Sequence, residues 1–203
     1  MKIKICGLTR MADIEAVNAV RPDYIGFVFA KSRRQVNPRQ AKALAEALLP
    51  SIRRVGVFVD ERIETVLEIA EMEMIDVIQL HGRESAAYVV SLKRQTGLPV
   101  VKAVRVDQTV DMKERLRCYE AAGVDAFLFD NGPGGTGERF EWKQIPQTGL
   151  PYFLAGGICP DNVKAVMQLP KAPYALDVSS GVETDGVKDA VKIKQLVELV
   201  HRL

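Results

Sequence analysis

Two apolar runs late in the chain stop abruptly in residues that are mostly backbone. Phe153-Leu154-Ala155 runs into Gly156-Gly157-Ile158, and Leu176-Asp177-Val178 runs into Ser179-Ser180-Gly181-Val182-Glu183. Turns so poor in side chains leave a nest of N–H groups. Such a nest binds a phosphate, most firmly where a short helix starts with its positive end forward. One such turn is ordinary local structure. Two in succession, at Gly156, Gly157, Ser180 and Gly181, point to a phosphorylated small molecule, with Asp177 just inside the second turn.

Other apolar runs also end in side chains able to do chemistry. Cys6 closes the first and precedes Gly7. A free cysteine is commonly a small core hydrophobe. At a strand end, a thiol with an ordinary pKa near ~8.5 needs only a modest depression to serve as a base at neutral pH. Asp130 closes Phe127-Leu128-Phe129 and is followed by Asn131-Gly132-Pro133-Gly134-Gly135-Thr136-Gly137, which reads as a hinge or lid. It is either a helix cap or loop anchor, or a general acid, since a carboxyl between apolar walls keeps its proton more readily.

Lys31-Ser32-Arg33-Arg34 is either a solvated basic turn or the place where one arginine grips a carboxylate bidentately. His81, in Gln79-Leu80-His81-Gly82, either touches substrate or hydrogen-bonds a neighbouring loop. Cys118 lies in a helical stretch and reads as inert. Cys159 stands where a helix cap belongs, beside the first nest. No His/Asp/Glu cluster has metal-ligand spacing and no G-x-G-x-x-G follows the first strand, so metal and dinucleotide readings are weak.

The elements that must carry these groups repeat. Short runs rich in Val, Ile and Phe recur at Ile3–Cys6, Tyr24–Phe29, Val55–Val59, Val77–Leu80, Val100–Val104, Ala126–Asp130, Tyr152–Ala155 and Tyr174–Val178. Most are continuous rather than alternating, as strands buried on both faces are. Helical patterns lie between them: Ile63, Val66, Leu67 and Ala70 share a face, and so do Ala190, Val191, Leu196, Val197 and Val200. Asn37-Pro38 caps the second helix, Asp60-Glu61 opens the third, and Pro160-Asp161 opens the seventh. The sixth is short, over Phe140-Glu141-Trp142-Lys143-Gln144-Ile145.

Eight strand–helix units without a break in composition predict one α/β domain over residues 1–203, a (β/α)8 barrel with its chemistry at the C-terminal ends of the strands. A net charge of +2 is too small to suggest nucleic acid or a membrane surface. No run of about 18 apolar residues could span a bilayer. Met1-Lys2-Ile3-Lys4-Ile5-Cys6 reads as a strand rather than a signal peptide. Three scattered cysteines give no disulfide framework, which suits a reducing cytoplasm.

Six segments occur in order: Lys4-Ile5-Cys6-Gly7-Leu8-Thr9, Val55-Gly56-Val57-Phe58-Val59, Gln79-Leu80-His81-Gly82, Gly134-Gly135-Thr136-Gly137, Ala155-Gly156-Gly157-Ile158 and Leu176 through Glu183. Together, over essentially the whole chain, they resemble the phosphoribosylanthranilate isomerases of tryptophan biosynthesis. The resemblance implies a cofactor-free Amadori rearrangement with Asp130 as general acid and Cys6 as general base. It also implies Arg34 on the anthranilate carboxylate, Gly156, Gly157, Ser180 and Gly181 on the phosphate, and His81 and Asp177 lining the pocket. Cys159 departs from the family, which more often has a polar cap such as Asn there.

The partner expected is a small phosphosugar, with no nucleic acid and no membrane, on a monomer or homodimer. Other single-phosphate barrel enzymes, a catalytically dead binding barrel and an isomerase of wider sugar specificity stay open. A synthase would need a catalytic lysine, for which Lys4 and Lys102 are the weak candidates.

Overall fold

The computed structural model describes residues 1–106, 112–130 and 145–203. Each of the eight apolar runs forms a strand, and the strands lie side by side, parallel and in sequence order, around one closed barrel. They are β1 (Lys2–Cys6), β2 (Tyr24–Val28), β3 (Arg53–Phe58), β4 (Val77–Leu80), β5 (Val100–Arg105), β6 (Ala126–Asp130), β7 (Tyr152–Leu154) and β8 (Ala175–Val178). Helices α1 (Met11–Val20), α2 (Pro38–Glu46), α3 (Ile63–Glu71), α4 (Ala86–Thr96) and α5 (Met112–Ala121) return the chain between the first six. The last helix, α6 (Ala190–His201), packs on α1.

The strands read as continuous apolar runs because each is buried twice. Val55 and Val57, Val101 and Ala103, and Ala126 and Leu128 join Cys6 and Phe153 in a cluster that fills the barrel's interior. Residues of opposite parity, among them Ile5, Phe27, Phe58 and Phe127, belong to a second cluster under the helices. With both faces covered, no polar alternation survives.

One connection follows the expectation and two differ from it. Asn37 caps α2 as its sequence suggests, accepting from Gln40 N at 2.9 Å. Asp60, however, does not open α3, whose N-cap residue is Arg62. Instead the Asp60 carboxylate accepts the Arg83 N–H, while Glu84 accepts the N–H groups of Asp60 and Gly82. Loop donors on the next strand outcompete the helix start. The seventh helix is only a 3-10 segment, Val163–Gln168, preceded by Asn162 rather than by Pro160-Asp161. Leu169 precedes Pro170 and takes extended backbone, which ends the segment early. Residues 140–144 of the expected sixth helix and the whole 132–137 lid lie outside the described residues.

A small hairpin after β8 is new. A 3-10 turn, Ser180–Val182, leads into β9 (Glu183–Thr184) and the antiparallel β10 (Val187–Lys188). The turn residues Asp185 and Gly186 both have positive φ, 51° and 78°, the Asp-Gly signature of a tight hairpin.

Charge is buried at two places in the wall. Lys102 Nζ bonds the carbonyls of Leu80, Gly82 and Ala103 and lies 3.0 Å from Glu84 Oε2. Burial lowers its pKa below the ordinary lysine value, against the pull of Glu84. It pins the loop after β4 and has no lone pair to spare for catalysis. Lys4, wholly buried, meets Asp177 at 2.9 Å across the seam where β1 pairs with β8.

Removing one member of such a pair strands the other. Lys4→Met should therefore cost about 3–5 kcal/mol in urea unfolding, and Lys4→Met with Asp177→Leu far less. Equal losses in the single and double variants would show that packing rather than charge pairing governs the seam.

Candidate active site

Cys6 is the last residue of β1 and is 8% exposed at the barrel mouth. Its neighbour on β2 is Gly26, where a Cβ would stand 2.8 Å from Cys6 Sγ and 3.2 Å from Lys4 Cε. Only a glycine leaves room for the thiol there. Gly7 then turns the chain with φ of 82° and donates its N–H to Gly26 O at 2.8 Å.

Among the described residues, the charged groups Lys4, Asp177, Lys188 and Arg34 face Cys6. Burial pushes the thiol pKa up, Lys4 and Lys188 pull it down, Asp177 pushes it up again, and the net direction is up. The depression expected from the sequence is therefore not found. Lys4 itself keeps its proton, because the attraction of Asp177 and Cys6 outweighs its burial. Asp177 accordingly lies beneath the mouth, tied to Lys4, rather than at its rim.

The basic turn after β2 is not simply solvated. Arg34 Nε donates to Glu183 Oε1 at 2.7 Å and Nη2 to Oε2 at 2.9 Å, and Arg33 adds a third bond to Oε2. Arg34 is 14% exposed and Arg33 55%. The Arg34 stem packs over Gly7, where a side chain would collide with it. Glu183 also accepts from Lys188 Nζ at 2.6 Å.

Neither Glu183 nor Lys188 figures among the residues that the sequence singles out. The Asp185-Gly186 turn is the signal that could have found them, because it predicts a hairpin with these two residues facing each other.

Across the mouth, Asp130 ends β6 and His81 follows β4. The Gln79 amide Nε2 donates to His81 Nδ1 at 3.0 Å, which leaves the ring proton on Nε2, 3.5 Å from Asp130 Oδ2. His81 thus bonds Gln79 of its own strand and faces the carboxylate of the candidate acid two strands away.

The two late turns meet backbone to backbone. Gly156 and Gly157 have φ of 92° and 66°, and a Cβ on Gly181 would run into the Ile158 carbonyl oxygen. Asn162 Nδ2 donates to Gly157 O at 2.7 Å, and its Oδ1 accepts from Cys159 N at 2.9 Å. Asn162 thus braces the turn around Cys159 from behind, and its side chain makes no cap bond to the 3-10 segment that follows. Ser179 Oγ donates to Cys6 O at 3.1 Å, so the second turn is anchored to the end of β1. Gly156, Gly157, Ser180 and Gly181 come together at one rim, between the strands that carry Asp130 and Cys6. Both neighbouring helical segments are short 3-10 turns. Among the described residues no group of three or more His, Cys, Asp or Glu could hold a metal ion, and no helix is long and apolar enough to cross a membrane.

Glu183 makes this rim sensitive to acid. Burial raises its pKa, but hydrogen bonds from Arg34 and Lys188 outweigh this and hold it below the ordinary glutamate value. A carboxyl depressed by folding contributes stability that is present above its unfolded value, about 4.3, and lost as pH falls through the folded one. Melting temperatures of wild type and Glu183→Gln should therefore converge as pH falls below about 4.3. A gap that stays constant with pH would mean that the ion pairs add nothing.

Residues 3–199 match the family model described as N-(5'phosphoribosyl)anthranilate (PRA) isomerase. The N-(5'-phosphoribosyl)anthranilate isomerase of Thermoanaerobacter pseudethanolicus is 44% identical, over 99% of this chain and 98% of its own. The crystal structure of phosphoribosyl anthranilate isomerase from Thermus thermophilus aligns over 100% of this chain and 99% of its own, with TM-score 0.85 and 36% identity. A second phosphoribosyl anthranilate isomerase, solved in complex with reduced 1-(o-carboxyphenylamino)-1-deoxyribulose 5-phosphate, aligns over 100% of both chains with TM-score 0.83 and 32% identity. Sequence and fold agree from one end of the barrel to the other, and the chain belongs to the N-(5'-phosphoribosyl)anthranilate isomerase family.

Proposed function

We propose that Cys6 and Asp130 carry the isomerase chemistry of this chain, converting N-(5-phosphoribosyl)anthranilate to 1-(2-carboxyphenylamino)-1-deoxyribulose 5-phosphate. Asp130 gives its proton to the furanose ring oxygen. The C1–O bond breaks, and the nitrogen lone pair completes a protonated imine. The Cys6 thiolate then takes the C2 proton, and the C–H electrons run into the imine to make an enolamine. Moving the C2 hydroxyl proton to C1 yields the ketone. Asp130 has lost one proton and Cys6 has gained one, so exchange with solvent resets the pair. No cofactor takes part.

What supports this reading most is the strand order. Asp130 ends β6 and Cys6 ends β1, and only β7 and β8, with their glycine-rich turns, lie between them. A phosphate seated at Gly156, Gly157, Ser180 and Gly181 would hold the sugar between acid and base. Because burial outweighs its cations, the Cys6 thiol must first give its proton to solvent, and the protonated imine favours the resulting thiolate by one more positive charge as the step begins. Arg34 spends Nε and Nη2 on Glu183, which leaves Nη1 to meet the anthranilate carboxylate. His81 Nε2–H orients the Asp130 carboxyl.

A synthase reading loses ground, since Lys4 and Lys102 are both tied down within the wall. Three cysteines without a disulfide suit a reducing cytoplasm, where the chain would act as one barrel domain, monomeric or as a homodimer.

General acid and general base each contribute about 10² to 10⁴ in rate. With substrate generated in situ, Cys6→Ser and Asp130→Asn should each lower kcat by that order while still binding the product. Cys118→Ser, at an exposed position on α5, should change little. Near-wild-type turnover in Cys6→Ser or Asp130→Asn removes that residue from the mechanism.

A charge-assisted bond to a carboxylate is worth about 1.5–3 kcal/mol, so Arg34→Ala should raise KM by about tenfold or more and Arg33→Ala by less. Small, equal effects from the two would leave the turn without a role in binding.

A further inference from the structure

Glu183 and Lys188 take no proton in the rearrangement, yet they are deeply buried charges at the mouth, with side chains 5% and 2% exposed. Burying an ion pair costs desolvation that its own attraction seldom recovers, so stability alone is a weak reason to keep one. Their connections are informative. Lys188 Nζ donates to Ser179 O at 2.9 Å and lies 3.4 Å from Ser179 Oγ, the same hydroxyl that donates to Cys6 O. Glu183 holds Lys188 with Oε1 and takes both donors of Arg34 with its two oxygens. Arg10 Nη2 fastens the hairpin from the other side, donating to Lys188 O at 3.1 Å.

We propose that the β9–β10 hairpin is a positioning device for the isomerisation: Lys188 braces the Ser179 corner against Cys6, and Glu183 fixes Arg34 in the same grip. Base and carboxylate anchor are thus set by one buried pair. This rests on the reading of Cys6 as base and Arg34 as anchor.

The charges around the thiol support it. From β1 and β8, Lys4 and Asp177 face Cys6 as an ion pair in which the lysine pulls the thiol pKa down more than Asp177 pushes it up. Further positive charge comes from Lys188 on β10 and Arg34 in the loop after β2, with Glu183 between them. Both cations act on Cys6 through space. Lys188 and Arg34 therefore add to the pull of Lys4 that favours the thiolate.

The test replaces Lys188 by Met, which removes charge and hydrogen bonds, and by Gln, which keeps a donor for Ser179. Iodoacetamide alkylation of Cys6 is followed against pH by peptide mass spectrometry, so Cys118 and Cys159 are read separately. In both variants the alkylation midpoint should rise by about one unit. Turnover should fall about tenfold or more, with KM changing much less. Glu183→Gln should instead raise KM severalfold, because Arg34 loses its fixed partner.

An unmoved midpoint in a folded Lys188→Gln enzyme, or a moved midpoint with wild-type kcat, overturns the proposal. Failure of both Lys188 variants to fold overturns it too, since the ammonium would then be a pin for the fold. The alkylation midpoint needs no turnover: a Cys6→Ser enzyme that keeps its activity defeats the base assignment and leaves the Lys188 result readable on its own.

Discussion

The barrel closes where β8 meets β1, and at that seam one buried ion pair, Lys4 with Asp177, occupies the interior. The two residues are cross-strand partners, so the register that closes the barrel also brings the charges together. In a low-dielectric wall neither could stay ionised alone. Their pairing has a consequence two residues further along β1. Cys6 sits over this pair, and Asp177 cancels part, not all, of the pull that the ammonium exerts on the thiol. Burial sets the direction of the thiol's shift, and the positive charge that aids the base comes from Lys4 below and from Lys188 above.

The mouth divides into two halves built by different means. Around β7, β8, β1 and β2, backbone meets backbone where a side chain would not fit: Gly181 over the Ile158 carbonyl, Gly26 against the Cys6 sulfur, Gly7 under the Arg34 stem. This half gathers the two phosphate turns, the thiol and the arginine. Around β3 to β6 the ties are ionic. Lys102, Glu84 and Asp60 lock the loop after β4 to its neighbours, and His81 on that loop reaches the Asp130 carboxylate. A phosphate needs converging N–H groups and little else, which glycine-rich turns supply. A carboxyl that must be held at one orientation needs a side-chain partner and a rigid loop behind it.

The eight strands were legible because each is covered on both faces, which turns a strand into a short unbroken apolar run. The candidate site was legible for a related reason: a barrel collects its chemistry at strand ends, so Cys6, Asp130, His81 and the two late turns stand out as the residues where the runs stop. Local turn chemistry also carried through at Asn37-Pro38, where the donor that the cap satisfies lies three residues away. It failed at Asp60, whose carboxylate had a competing donor on the next loop, at Arg83. No window around Asp60 contains that donor.

What the sequence by itself determined is whatever depends on backbone period and on neighbours a few residues away: eight strands, their order, the helices with clear faces, and the residues delivered to one end. What only the tertiary structure decided is how distant charges are shared. Glu183 lies 149 residues from the arginine it grips, and Asp177 lies 173 residues from Lys4. Whether Arg34 is free or held, and whether the Cys6 thiol moves up or down, follows from those pairings. A group's charge state is a sum over everything packed around it, and the packing exists only once the last strand has closed on the first.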